Sequence, residues 1–127
     1  MDCKDLMIGD FVNVNGLNLK VGAIHADEIG VFDPDYKIYW CSDDGLDRID
    51  PIPLTEKILV KNGFDFTKRN YGVCCKEDEY GDVELSKDEN GFYWSINTDE
   101  YEILRINYVH TLQHLLRLCG VEKELTI

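Results

Sequence analysis

His110 and His114 stand four positions apart, and Arg117 follows three positions later. In a helix, residues three and four apart share a face, so the three side chains form one stripe. Two imidazoles at this spacing can share a metal ion. A metalloprotease would also require glutamate directly after the first histidine, but position 111 is threonine. A guanidinium on the same stripe opposes a metal as well. The stripe therefore reads as a solvated or interface face, and neither metal nor cofactor is expected. The alternative makes His110, His114 and Arg117 a cationic, pH-sensitive contact for an anionic ligand or for the chain's own acidic segment.

Nucleophilic chemistry has less support. The five cysteines are Cys3, Cys41, Cys74, Cys75 and Cys119. No two have the Cys-x-x-Cys spacing of a structural zinc site, and Cys74 and Cys75, being adjacent, point to opposite faces of a strand. They read as small buried hydrophobes or free thiols of a reducing compartment. Cys119 falls on the apolar side of the last helical pattern and is expected to be buried and inert. A Cys–His pair such as Cys74 with His110 would need a contact that spacing does not supply. No glycine-rich phosphate loop, nucleophile elbow or Walker pattern occurs. No catalytic residue is assigned, and a non-enzymatic protein is expected.

Carboxylates are the abundant chemical group, and their distribution is uneven. Residues 33–50 carry six acids against Lys37 and Arg48, and residues 76–102 carry ten against Lys76 and Lys87. The remaining residues balance, so these two stretches account for the whole net charge of −12. Neither stretch has the alternating acids and sixth-position glycine of an EF-hand loop, so both read as solvated turns. Such a surface disfavours nonspecific binding to nucleic-acid phosphates. It suits a basic protein partner, for which carboxylates can imitate phosphates. The partner-binding candidates are Glu77, Asp78, Glu79, Asp82, Glu84, Asp88 and Glu89. The aromatics Tyr36, Tyr39, Trp40, Tyr93 and Trp94 lie in alternating segments; their outward half can stack on a partner or pack on another layer.

The elements that position these groups follow from pattern and turn chemistry. At 127 residues the chain is expected to be a single α+β domain made of two lobes, 1–53 and 54–127. In the first, strands are predicted at 10–14, 17–24, 29–32, 36–41 and 46–49, with Asn15-Gly16 as a tight hairpin. Short strands at this spacing indicate an SH3-like small β-barrel. In the second, Thr55 caps a short helix that Asn62-Gly63 ends. An antiparallel β-meander is predicted through 71–76, 83–86, 92–96 and 101–106. Asn107 then caps a C-terminal amphipathic helix that Gly120 ends, with Tyr108, Val109, Leu112, Leu115, Leu116 and Cys119 on its apolar side. No apolar run approaches the length of a membrane span, and the acidic start lacks a signal peptide's basic and apolar regions, so a cytoplasmic location is expected.

Three stretches carry a resemblance: Asp5-Leu6-Met7-Ile8-Gly9-Asp10-Phe11-Val12; Pro51-Ile52-Pro53-Leu54-Thr55-Glu56-Lys57-Ile58-Leu59 with Lys61-Asn62-Gly63-Phe64; and Tyr108-Val109-His110-Thr111-Leu112-Gln113 with residues 115–120. In this order they resemble a group of small uncharacterised proteins from phages, prophages and mobile elements of gut Bacteroidetes. The resemblance implies a cytoplasmic accessory protein and supplies no activity. The function expected from the sequence is binding of a host or phage protein through an acidic surface. Binding of a small anion or nucleotide ranks second, and metal-dependent hydrolysis ranks third.

Overall fold

A computed structural model describes residues 3–65, 72–75, 84–95, 103–120 and 124–127. It is a mixed α+β structure divided into two compact units, Met1–Ile52 and Pro53–Ile127.

The first unit opens with a 3₁₀ turn at Cys3–Asp5, followed by β1 (Phe11–Val14), β2 (Leu17–His25), β3 (Glu28–Phe32), β4 (Ile38–Ser42) and β5 (Ile49–Asp50). These form one antiparallel sheet in the order β4-β3-β2-β1-β5. Asn15 and Gly16 have φ of 52° and 92°, so the predicted hairpin turn forms, and Val14 pairs directly with Leu17. β2 gives its first half to β1 and its second half to β3, with a register shift between Val21 and Ala23. A bulge of this kind bends a strand and increases its twist, so the sheet curls into a half-barrel. Its concave side holds Val12, Val14, Val21, Ile29, Val31, Cys41 and Ile49, joined by Cys3 and Leu6.

Two predicted strands are shortened, each by side-chain capture of the backbone. β4 begins at Ile38 rather than at 36, because Asp33 Oδ1 accepts from the amides of Asp35 and Lys37 and holds Tyr36 in the turn at φ 61°. β5 begins at Ile49 rather than at 46. The preceding loop is held by Asn15, whose Oδ1 accepts from the Arg48 amide at 2.8 Å and whose Nδ2 donates to Asp47 at 2.8 Å. Leu46 is left fully exposed.

The second unit contains α1 (Glu56–Lys61), β6 (Phe64–Asp65), β7 (Gly72–Cys75), β8 (Glu84–Asp88), β9 (Gly91–Ser95), β10 (Ile103–Arg105) and α2 (Val109–Leu118). The five strands form an antiparallel meander in the order β10-β9-β8-β7-β6. β6 was not anticipated: two residues are too few to show alternation, although Phe64 is buried. Thr55 Oγ1 accepts from the Ile58 amide, and Gly63 takes φ 92° after Asn62, so α1 starts and stops at its sequence signals. Asn62 also clamps a distant segment. Its Nδ2 donates to the Thr126 carbonyl at 2.7 Å, and its Oδ1 accepts from the Thr126 amide at 2.8 Å. The neighbouring Leu125 is buried.

The last helix differs from expectation at both ends. Tyr108, not Asn107, is the N-cap and supplies no side-chain hydrogen bond. The Asn107 carbonyl accepts from the Leu54 amide, and Tyr108 bridges Pro53, so this backbone is committed to pairing rather than capping. Val109, Leu112, Leu115 and Leu116 are buried as the periodicity requires. Cys119 lies one residue past the last helical turn and is exposed, contrary to its predicted burial. No helix among the described residues is long and apolar enough to cross a membrane.

Candidate functional site

The half-barrel exposes an apolar surface on β4, and its register explains why. Across β3 and β4, Ile29 pairs with Cys41 and Val31 with Tyr39, which sets these four side chains toward the concave side. Gly30 pairs with Trp40 and Phe32 with Ile38, so Phe32, Ile38 and Trp40 share the convex face. Glycine creates room there. A Cβ on Gly30 would stand 2.7 Å from Ile38 Cγ2 and 3.4 Å from Trp40, and a Cβ on Gly22 would stand 2.5 Å from the Phe32 ring. Ile38 and Trp40 thus lean over bare backbone and form a low platform, yet 39% and 45% of their surfaces remain exposed. Tyr36, in the adjoining turn, is 86% exposed.

Carboxylates frame the platform. Asp33 and Asp35 occupy the turn before β4, while Asp43, Asp44 and Asp47 follow it. Glu28 lies opposite Ser42 at that second end. Several of these acids also have structural tasks. Asp43 accepts from the Cys3 amide at 3.0 Å and from Cys3 Sγ at 3.2 Å, and the amide bond holds its carboxyl below the ordinary range. Asp47 Oδ1 accepts from Tyr39 Oη at 2.8 Å as well as from Asn15. That hydrogen bond to a carboxylate raises the Tyr39 pKa. Cys41 is pushed up to about 11, first by burial and then by Asp47, Asp43 and Glu28, so its thiol is protonated and unreactive at neutral pH.

The histidine stripe is partly internal. His110 is only 9% exposed, Gln113 is also buried, His114 is half-buried and Arg117 is exposed. Of the expected solvated or interface face, His110 and Gln113 are therefore not solvated. The His110 ring stacks on Tyr108 at 5.8 Å and meets His114 edge-on at 5.7 Å, which makes it part of an aromatic cluster. A helical wheel could not show this, since burial of a polar residue depends on what packs over it. Among the described residues no group of three or more His, Cys, Asp or Glu is arranged to hold a metal ion.

Of the acidic candidates in the second unit, Glu77, Asp78, Glu79 and Asp82 lie outside the described residues. Glu84 is in β8 opposite Cys74, and Glu89 is exposed in the turn before β9. Asp88 is engaged: both its oxygens accept from Arg105 at 2.7 Å, and the guanidinium lies 5.3 Å from the Tyr93 ring centre. The pairing lowers the Asp88 pKa and raises that of Arg105. The β4 platform was legible only in part: the aromatics at 36, 39 and 40 were recognised, but the vacant positions at Gly22 and Gly30 were not.

No protein-family model, curated protein or solved structure matches this chain.

Proposed function

We propose that this chain is a non-enzymatic binding module that holds a basic protein partner against an acidic surface, and that its first unit is an SH3-like small barrel. The second statement is supported by the strand order β4-β3-β2-β1-β5, in which a four-stranded meander curls and a short fifth strand returns to the first. The first is carried by one observation: β4 exposes Ile38 and Trp40 on its convex face between two groups of carboxylates. Exposed apolar surface rimmed by charge is the signature of an interaction site, and the sign of the rim selects a basic partner. The resemblance to phage and mobile-element proteins adds a context, an accessory protein acting in the cytoplasm on a host or phage protein. A small-anion site is less well supported, because His110 is buried while Arg117 is exposed.

Affinity capture with three proteins tests this reading: wild type, an Asp35→Asn/Asp44→Asn variant, and a variant neutralised at Glu77, Asp78, Glu79, Asp82 and Glu89. The expected result is salt-sensitive capture of a basic protein that at least one neutralised variant loses. Capture unchanged in both variants, or confined to acidic proteins, rejects it.

A further inference from the structure

We infer that β4 receives an extended basic segment of the partner as an added strand of the first unit's sheet. This rests on the protein-binding reading above and specifies the mode of binding and the chemistry of the occupant.

The backbone provides the template. β4 ends the sheet order, and among the described residues no strand pairs with its outer side. The Asp33 amide donates to the Lys37 carbonyl at 2.8 Å, which continues the β3–β4 ladder and fixes its phase. Antiparallel pairs alternate between bonded and non-bonded. Tyr39 and Cys41 therefore direct their N–H and C=O toward β3, and Ile38 and Trp40 direct theirs to the open edge, as does the Ser42 N–H; the Ser42 carbonyl is taken by the Gly45 amide at 3.2 Å.

The two edges of this sheet are treated differently. β5 is two residues long and carries the Arg48–Asp50 ion pair at 2.7 Å. Short length and charge are the usual devices that prevent a sheet from pairing with another chain. β4 has five residues, Ile-Tyr-Trp-Cys-Ser, with neither charge nor proline. Its convex side chains lean inward over Gly30, away from the edge. Strand addition uses such an edge: main-chain hydrogen bonds supply affinity and alternate side chains supply specificity.

Charge selects the occupant. The strand runs between Asp33 and Asp35 at one end and Glu28, Asp43, Asp44 and Asp47 at the other, whereas Lys37 and an Arg48 already bound to Asp50 are the bases of this stretch. A second copy of the chain would bring the same acids to the same place, with a net charge of −12 on each molecule. Like charges so juxtaposed oppose association. An extended segment alternating basic and apolar residues meets both the acidic ends and the Ile38–Trp40 platform.

The test titrates the full chain with a capped Lys-Val-Lys-Val-Lys-Val peptide and its Glu-Val counterpart by calorimetry, and follows amide exchange by NMR with the Lys-Val peptide bound. The expected result is saturable binding of the Lys-Val peptide, at least tenfold weaker for the Glu-Val peptide and weakened by salt. Exchange at Ile38, Trp40 and Ser42 slows at least tenfold, while Leu85 is unchanged. An Ile38→Pro variant, at the strand position where proline is best tolerated, weakens binding while keeping the wild-type spectrum elsewhere. Binding without protection of the β4 amides overturns strand addition and leaves the binding-module reading intact. No Lys-Val binding up to millimolar peptide overturns both. Sedimentation showing a dimer with those amides already protected assigns the edge to a second copy and overturns the basic-segment proposal.

Discussion

Asn62 and Asp43 show how much single polar side chains contribute here. Asn62 ends α1 and at the same time holds the backbone of Thr126, so its amide replaces a ladder that the chain does not otherwise form there. Asn62→Ala leaves these part-buried backbone groups unsatisfied, at a cost of about 1–3 kcal/mol. Urea denaturation should show that loss, with faster exchange of the Thr126 amide, and Asn62→Asp should lose at least as much, because it turns the donor facing the Ile58 and Thr126 carbonyls into a buried carboxylate oxygen. Asp43 gives a pH signature. Its carboxyl is depressed when folded, chiefly by the Cys3 amide. The associated stability is therefore fully present above the unfolded carboxyl pKa of about 3.9 and is lost as pH falls through the folded value. The stability difference between wild type and Asp43→Asn should shrink as pH is lowered from about 6 to about 2.5. A difference that grows on acidification would contradict the assignment. Neither residue's role was legible beforehand: Asn62 was recognised as a helix stop, but its partner lies 64 positions away.

Among the elements, turns were the most legible parts and strand ends the least. Asn15-Gly16, the Thr55 cap and the Gly63 and Gly120 stops form where local chemistry places them. β4 and β5 start later than predicted because Asp33, Asn15 and Asp47 capture the neighbouring backbone, and such competition is invisible to periodicity. The convex platform depends on two glycines whose significance appears only across strands. Gly30→Ala must displace Ile38 Cγ2, a stiff β-branched methyl, whereas Gly22→Ala meets the far edge of the Phe32 ring. Overpacking of this kind costs about 1–3 kcal/mol, partly offset by alanine's better strand propensity. Thermal unfolding should therefore show a larger loss for Gly30→Ala than for Gly22→Ala, and peptide binding at β4 should weaken only in the former. Equal losses would mean that Ile38 yields as easily as the ring.

At the scale of the whole molecule, charge is the dominant property. Ion pairs join Arg48 to Asp50, Lys87 to Glu56 and Arg105 to Asp88, yet the chain retains twelve uncompensated negative charges. Self-repulsion of this size destabilises the compact state and is screened by salt. The melting temperature should rise as sodium chloride increases from about 0.02 to about 0.5 M, where the screening length falls from roughly 20 Å to below 5 Å. A falling melting temperature would show that the ion pairs outweigh the repulsion. The charge excess and α+β class follow directly from residue counts and patterns. The proposed binding surface does not, because composition shows how many carboxylates there are and only the strand register shows which apolar side chains lie between them.

The Asp47 carboxylate has a consequence for the order in which the half-barrel assembles. It joins a hairpin tip 32 positions away to a strand eight positions away. The β1–β2 hairpin closes through a two-residue turn and can form early, since short loops close fastest. Asp47 can hold Asn15 and Tyr39 together only once β4 has joined the hairpin, so the paired hydrogen bonds belong to the last stage of folding and the first of unfolding. Weakening them should act on the rate at which the native state opens, leaving the rate at which it is reached nearly untouched.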